Sequence, residues 1–75
     1  MERLRRYLNS LSRADQDDYA RRCHTTVGYL RKALSTKPSL DGALARALDE
    51  ESSGFVRREE LRPDIWPELI EAEHA

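Results

Sequence analysis

The sequence predicts an all-α fold, a compact domain of five short helices. The chain has 75 residues, which suffices for one small domain. Ten Leu and eight Ala stand against two Val, two Ile and three Thr, a composition that favours helices over strands. Apolar residues also recur three and four positions apart, which is the spacing of an amphipathic helix.

The first two helices are predicted from leucine spacing and a capping motif. A helix over residues 2–11 would bury one stripe of leucines: Leu4, Leu8 and Leu11. Ser12, followed three residues later by Asp15, approximates a capping box and predicts the start of a second helix that runs to about residue 22. That helix would point a small cluster inward: Tyr19, Ala20 and Cys23.

Hydroxyl residues and a proline mark the next two helices. Thr25 or Thr26 can cap a third helix that runs to about residue 34 or 35. Pro38 or Ser39 can start a fourth helix, and the Ser-Ser-Gly of residues 52–54 ends it. The fourth helix carries an i, i+3, i+4, i+7, i+8 stripe: Leu40, Ala43, Leu44, Ala47 and Leu48.

A short last helix and a tail complete the predicted fold. The last helix covers residues 57–62 and stops before Pro63. Ile65 and Trp66 are expected to fold back over the core, which is a commoner role for such a tryptophan than a stacking platform for a base. Residues 68–75 are expected to form a flexible tail.

Charge divides the chain in two, although the formal net charge is only −1. Residues 1–37 hold nine basic and four acidic residues, a net charge of +5, whereas residues 38–75 hold four basic and ten acidic residues, a net charge of −6. Any nucleic-acid contact is therefore expected in the first half, where Arg5 and Arg6 either approach the polyanion or are simply solvated. Uneven charge also arises by chance on the helices of small proteins, so the imbalance alone leaves both interpretations open.

Several function classes are excluded by what the sequence lacks. No run of about 18 apolar residues could span a membrane, and the start, MERLRRYLNS, has no apolar run of a secretory signal. The single cysteine cannot build a disulfide framework, so a reducing compartment, the cytoplasm, is expected. Cys23, His24 and His74 are too few ligands for zinc, and no catalytic set or phosphate loop can be argued. We therefore expect no enzyme activity, cofactor or metal, and expect Cys23 to be a small buried apolar side chain.

The second and third predicted helices have the outline of a helix-turn-helix. If Gln16 is the first position of this motif, Ala20 is the fifth, where the two helices approach closely and a small side chain is needed. The turn then falls at His24 and Thr25.

The third helix is predicted to present a basic face to solvent. At about 100° of rotation per residue, Ala33 and Leu34 lie on the same side as Leu30, facing the second helix. Val27 lies at the margin, and the opposite side holds four residues: Gly28, Arg31, Lys32 and Ser35. A basic face with small side chains at its N-terminal end suits a helix that enters the major groove of DNA.

Two segments carry a family resemblance: SRADQDDYARRCHTTVGYLRKALS over residues 12–35 and GFVRREELRPDIW over residues 54–66. In them the chain resembles the YdaS-like, or Cro-like, prophage regulators, small helix-turn-helix proteins of the lambda repressor-like fold. The resemblance covers roughly residues 2–67, and TTVGYLRKAL and LRPDIW are its most specific parts. It implies a DNA-binding domain over residues 1–67 that represses or otherwise controls a phage or prophage operator, commonly as a homodimer. Bacterial or phage origin follows from the same resemblance.

The resemblance also implies roles for individual residues. Val27 and Gly28 take the leading positions in the major groove, and Arg31 and Lys32 take those one turn later. From there, Arg31 can hydrogen-bond to O6 and N7 of a guanine, and Lys32 can also meet a phosphate. Phosphate contacts are expected from four residues: Gln16, Thr25, Thr26 and Lys37.

Two positions depart from the family pattern. His24 stands in the turn where the family usually has Gly, at a site that tends to need a positive φ. Arg57 stands where a Thr usually caps the last helix, so a weakened cap is expected there.

A protein-interaction function is the main alternative to a DNA-binding regulator. An antitoxin-like or anti-repressor-like module would keep the fold and bind a toxin or a phage regulator through its acidic half, around Asp49, Glu50 and Glu51. A nonspecific nucleic-acid binder is disfavoured by the net charge of −1, because such proteins are usually basic overall.

Overall fold

The computed structural model describes residues 1–36 and 38–67. This part of the chain contains five α-helices and no strand. Their bounds are α1 Glu2–Ser10, α2 Arg13–Arg22, α3 Val27–Thr36, α4 Gly42–Glu51 and α5 Arg58–Leu61. The predicted all-α, five-helix fold is confirmed. Lys37 and the predicted tail, residues 68–75, lie outside the described residues. In the described part, no helix is both long and apolar enough to cross a membrane.

The core is built by the side chains that the first three predicted stripes point inward. Two leucines of α1, three residues at the end of α2 and three of α3 are buried, as expected: Leu4, Leu8, Tyr19, Ala20, Cys23, Leu30, Ala33 and Leu34. The third leucine of the first predicted stripe, Leu11, lies just past the end of α1 and is only half-buried. The Tyr19 hydroxyl donates a hydrogen bond of 2.7 Å to the Leu48 carbonyl oxygen. This bond satisfies a buried polar group and ties α2 to α4.

The ends of α2 follow the local signals in the sequence. The Ser12 hydroxyl accepts a hydrogen bond of 3.1 Å from the Asp15 backbone N–H, which is one half of the predicted capping box. At the other end His24 has φ of 61°, which confirms the expected positive φ. Its N–H donates to the Arg21 carbonyl and the Thr25 N–H donates to the Ala20 carbonyl, both at 2.9 Å. These two bonds form a Schellman motif with histidine at the left-handed position.

The start and the buried stripe of α4 differ from the prediction. The helix begins at Gly42, not at Pro38 or Ser39, because the Asp41 carboxylate caps it by accepting a bond of 3.1 Å from the Ala43 N–H. Leu40 is buried from the preceding loop. In the predicted stripe Ala43 proves to be exposed, while Ala45, outside the stripe, is fully buried. Alanines at three alternate positions gave the pattern no means of choosing the inner face.

The last helix is shorter than predicted and is capped from another element. Arg57 provides no side-chain cap, as expected. Instead, the Asp49 carboxylate accepts bonds from the Arg58 backbone N–H at 3.0 Å and from the Arg58 side chain at 3.1 Å. Trp66 is half-buried against the core, with the Arg58 guanidinium 5.6 Å from its ring centroid, whereas Ile65 remains 41% exposed.

Candidate nucleic-acid interface

Helices α2 and α3 form a helix-turn-helix across residues 23–26. Ala20, at the fifth position of the motif, is buried where α3 packs on α2. The Thr26 hydroxyl accepts a hydrogen bond of 3.1 Å from the Tyr29 N–H and so caps α3. The cap leaves Thr26 exposed at the positive end of the helix dipole, a suitable place for a phosphate.

The outward face of α3 has the composition that the helical rotation predicts. Gly28, Arg31, Lys32 and Ser35 are all exposed. Val27, the fourth predicted groove residue, is half-buried and packs against the core. Three of the four predicted base-facing residues therefore share one open face, and Val27 borders it.

Gly28 occupies a position where the fold itself has no need of a glycine. A Cβ built there would meet one atom within 4 Å, the Thr26 hydroxyl oxygen at 3.9 Å, which is ordinary contact. Glycine inside a helix costs about 1 kcal/mol relative to alanine. Glycine without a Cβ can serve close approach of the helix backbone to another molecule, so Gly28 remains a candidate for such a contact.

The predicted phosphate-contacting residues differ in how far the fold already uses them. Gln16 is half-buried, and its side-chain nitrogen donates to the carbonyls of Leu8 at 2.9 Å and Leu11 at 3.1 Å. Thr25 is half-buried, and its N–H bonds within the turn, whereas Thr26 is exposed. Lys37 lies outside the described residues.

Arg31 belongs to a polar cluster that the sequence did not reveal. Its guanidinium donates to the Asn9 side-chain oxygen at 3.0 Å and to the Gln16 side-chain oxygen at 3.4 Å. Asn9 lies 22 positions away on α1, so no local pattern could have indicated the contact. Both acceptors are neutral amides, so the positive charge of Arg31 is oriented without being compensated by any carboxylate of residues 1–36 and 38–67.

The ion pairs of the described residues are concentrated away from this face. In the second half, each of the four arginines has a carboxylate partner: Arg46, Arg57, Arg58 and Arg62. Among residues 1–36, five cations form no ion pair with a described carboxylate: Arg5, Arg6, Arg13, Arg31 and Lys32. Two of these five cations, Arg31 and Lys32, lie on the exposed face of α3.

A shallow apolar groove of about 330 Å³ lies beside the turn, between α3 and the start of α4. Tyr29, 42% exposed, forms part of its wall together with Cys23 and Leu44. The Cys23 side chain is 3% exposed, as predicted, and burial raises its pKa to about 11, so it is a neutral thiol at pH 7. Within the described ranges, no three His, Cys, Asp or Glu side chains are grouped to hold a metal ion.

Comparison with known proteins gives one informative relative. A prophage transcriptional regulatory protein of Escherichia coli (strain K12) is 33% identical over 64 residues, which cover 85% of this chain and 97% of the relative. No family model matches the sequence. No solved structure is a significant match either.

Proposed function

The chain belongs to the family of prophage transcriptional regulatory proteins, and from that premise we propose that its α3 reads the major groove of a DNA operator. It would act as a YdaS-like or Cro-like regulator of the helix-turn-helix type, most simply as a repressor. Its role in transcription is that of a regulator, as in the relative from Escherichia coli. That the exposed face of α3 is the surface that contacts DNA is our proposal.

One observation supports this proposal above the others: the exposed face of α3. It combines a glycine over open space with two cations, Arg31 and Lys32, that form no ion pair with the carboxylates of residues 1–36 and 38–67. Uncompensated cations on a narrow helix face are complementary to the edges and phosphates of a DNA groove.

Within this proposal the residues divide by the part of DNA that they meet. Gly28 lets the helix backbone approach the bases, with Val27 beside it at the entrance. Arg31 donates two hydrogen bonds to a guanine, which is worth about 1–3 kcal/mol of discrimination. Lys32 lies one residue further along the groove, and the phosphates fall to Thr25, Thr26 and Lys37. Gln16 has no role toward a phosphate here, because its side-chain nitrogen already donates to the carbonyls of Leu8 and Leu11.

The alternative, binding of a protein partner through the acidic half, has less support. The carboxylates that it would use already bind arginines of the same molecule. Asp49 pairs with Arg58 at 3.1 Å, and Glu51 pairs with Arg22 at 3.1 Å. A partner would have to replace these contacts before gaining any of its own.

A homodimer is part of the proposal, because a two-fold protein reads a palindromic operator with equal half-sites. Phe55 and Ile65 are each 41% exposed and can supply apolar surface to such a contact. Trp66 is already half-buried against the core, and Leu69 and Ile70 lie outside the described residues.

Selection from a random duplex library tests the proposal directly. We expect a motif with two-fold symmetry, bound with an affinity that falls steeply as the salt concentration rises. Selection should be repeated with Arg46→Ala, whose arginine lies on α4 and pairs with Glu50, as a control that leaves the motif unchanged. Enrichment of no sequence by the native protein would contradict the proposal, as would affinity that does not depend on salt.

A further inference from the structure

We propose that Asn9, on α1, is a positioning residue for DNA sequence specificity, acting through Arg31. The inference rests on the proposed function, since it deepens the role of the α3 face. It makes the reading unit a three-helix cluster of Asn9 on α1, Gln16 on α2 and Arg31 on α3. No part of the sequence pattern links Asn9 to this role.

The guanidinium of Arg31 is hydrogen-bonded on two sides, once at normal length and once at a longer distance. Asn9 accepts one bond from Arg31 at 3.0 Å, and Gln16 accepts a second at 3.4 Å. The two bonds are donated by different terminal nitrogens of the guanidinium, so they restrain its plane as well as its position. Asn9, Gln16 and Arg31 therefore present one surface, although they come from three helices.

Gln16 is itself held in the orientation that the cluster needs. Its side-chain nitrogen donates both of its hydrogens, to the carbonyls of Leu8 and Leu11 at the end of α1. With the nitrogen fully used, the amide can turn only its oxygen towards Arg31. The arrangement is consequently anchored to the backbone of α1, the same helix that carries Asn9.

The neutrality of both acceptors separates this cluster from a structural ion pair. Asp49 and Arg58 show the ion-pair arrangement in the same molecule, where a carboxylate at 3.1 Å compensates the arginine and caps α5. Two amides orient Arg31 and leave its charge and three of its five N–H groups for another molecule. An arginine that is ordered before binding loses less side-chain entropy when it binds, which corresponds to roughly a 3- to 10-fold gain in affinity.

A comparison of Asn9→Ala with the native protein tests the inference, using the selected duplex and a scrambled duplex of equal length. We expect Asn9→Ala to weaken binding to the selected duplex by roughly 3- to 10-fold and to leave binding to the scrambled duplex unchanged. Asn9→Asp should weaken binding to both, because the new carboxylate compensates Arg31. Ser10→Ala, a neighbouring exposed residue that bonds locally to the Tyr7 carbonyl, is the matched control and should change neither affinity.

A double-mutant cycle distinguishes a positioning role from general damage. The effect of Asn9→Ala should disappear in the Arg31→Ala background, because Asn9 acts only through that side chain. An equal effect in both backgrounds, or an unchanged ratio of the two affinities in Asn9→Ala, would overturn the inference while the proposed function stands. Absence of selective binding by the native protein would instead remove the proposed function, and this inference with it.

Discussion

The arginines at the carboxyl-terminal end of the fold have carboxylate partners, whereas Arg31, on α3, pairs with no described carboxylate. Arg58 pairs with Asp49 at 3.1 Å and Arg62 with Asp64 at 2.7 Å, and the latter contact holds the pKa of Asp64 down, at about 2. Among the described residues, the acceptors of Arg31 are two neutral amides, at 3.0 and 3.4 Å. The net charge of −1 is therefore a poor guide to this surface, because the four arginines of residues 38–75 are paired, whereas Arg31 and Lys32 form no ion pair with a described carboxylate.

Removal of Arg31 should have the largest effect on DNA binding. We expect Arg31→Ala to weaken binding to the selected duplex by about 1–3 kcal/mol and to reduce the preference for one base pair, because a bidentate contact to a base is lost. Fluorescence anisotropy with single-base variants of the duplex measures both quantities. Arg46→Ala, from the paired half, should retain the native affinity; equal losses in the two variants would erase the distinction between the halves.

Removal of a paired carboxylate should act on the fold instead. Asp49→Ala takes away the cap of α5 and the partner of Arg58 together, so we expect the free energy of unfolding to fall by about 2 kcal/mol. Urea denaturation followed by circular dichroism measures the change. Its neighbour Glu50, more exposed and paired at 3.6 and 4.0 Å, gives the control: Glu50→Gln should cost at most about 0.5 kcal/mol. If Asp49→Ala lowered the free energy of unfolding no more than Glu50→Gln does, α5 would not depend on this cap.

Two glycines allow the same comparison without charge. Gly28→Ala should stabilise the fold by up to about 1 kcal/mol, because its Cβ meets open space, yet it should weaken DNA binding several-fold by holding α3 away from the bases. Gly42 has an internal neighbour instead, since a Cβ there would lie 3.0 Å from Ile65 Cδ1. In Gly42→Ala this tight contact should offset the gain in helix propensity, so the free energy of unfolding should change little. The DNA affinity should not change. Native affinity in Gly28→Ala would show that this end of α3 stays clear of DNA.

The same helix ending occurs once in each half, which makes a further test. His24, after α2, has φ of 61°, and Ser53, after α4, has φ of 55°. Glycine adopts such values without strain, so His24→Gly and Ser53→Gly should each raise the free energy of unfolding by about 1 kcal/mol. Thermal unfolding measures the gain. A stabilisation of one variant only would mean that the other side chain makes contacts that outweigh its backbone strain.

Alkaline pH should produce the smallest of these changes in stability, through the buried side chains of Cys23 and Tyr19. Burial raises the pKa of Cys23 from 9.0 to about 11 and raises the pKa of Tyr19 as well. Because the pKa of Cys23 is higher in the folded state, the thiol stabilises the fold fully below pH 9, and this stabilisation is lost as the pH rises towards 11. The contribution of Cys23 to the free energy of unfolding should therefore fall by about 1 kcal/mol by pH 10. Urea denaturation of the native protein and of Cys23→Ala between pH 7 and 10 isolates this part. A stability difference between the two proteins that stays constant over that range would contradict the assigned burial.

The sequence predicted best those elements whose signals are local. Leucine spacing and the Ser12 cap placed α1 and α2 within one residue of their observed ends, and the rotation along α3 separated its buried side from its exposed side. The start of α4 was predicted wrongly, because the Asp41 cap competes with Pro38 and Ser39 and the alternating alanines suit either face. Local competition of this kind is decided by packing rather than by propensity.

The candidate site was only partly accessible to such reasoning. Gly28, Arg31 and Lys32 follow from the position of α3 in the motif. Asn9 and Asp49 do not, because their contacts with Arg31 and Arg58 join residues 22 and 9 positions apart on different helices. Those contacts depend on how the helices pack, and one sequence contains no periodic signal for them.

Backbone amide chemical shifts, recorded as the selected duplex is added to labelled protein, show directly which helices meet DNA. If α3 reads the groove, the changes are concentrated at the N-terminal turns of α2 and α3, around Gln16 and Gly28, and at Asn9, with α4 and α5 nearly unaffected. Changes concentrated in α4 and α5, around Glu50 and Arg58, would contradict this role of α3. In that case the paired, acidic half would be the binding surface, and the uncompensated cations of α3 would have no role in recognition.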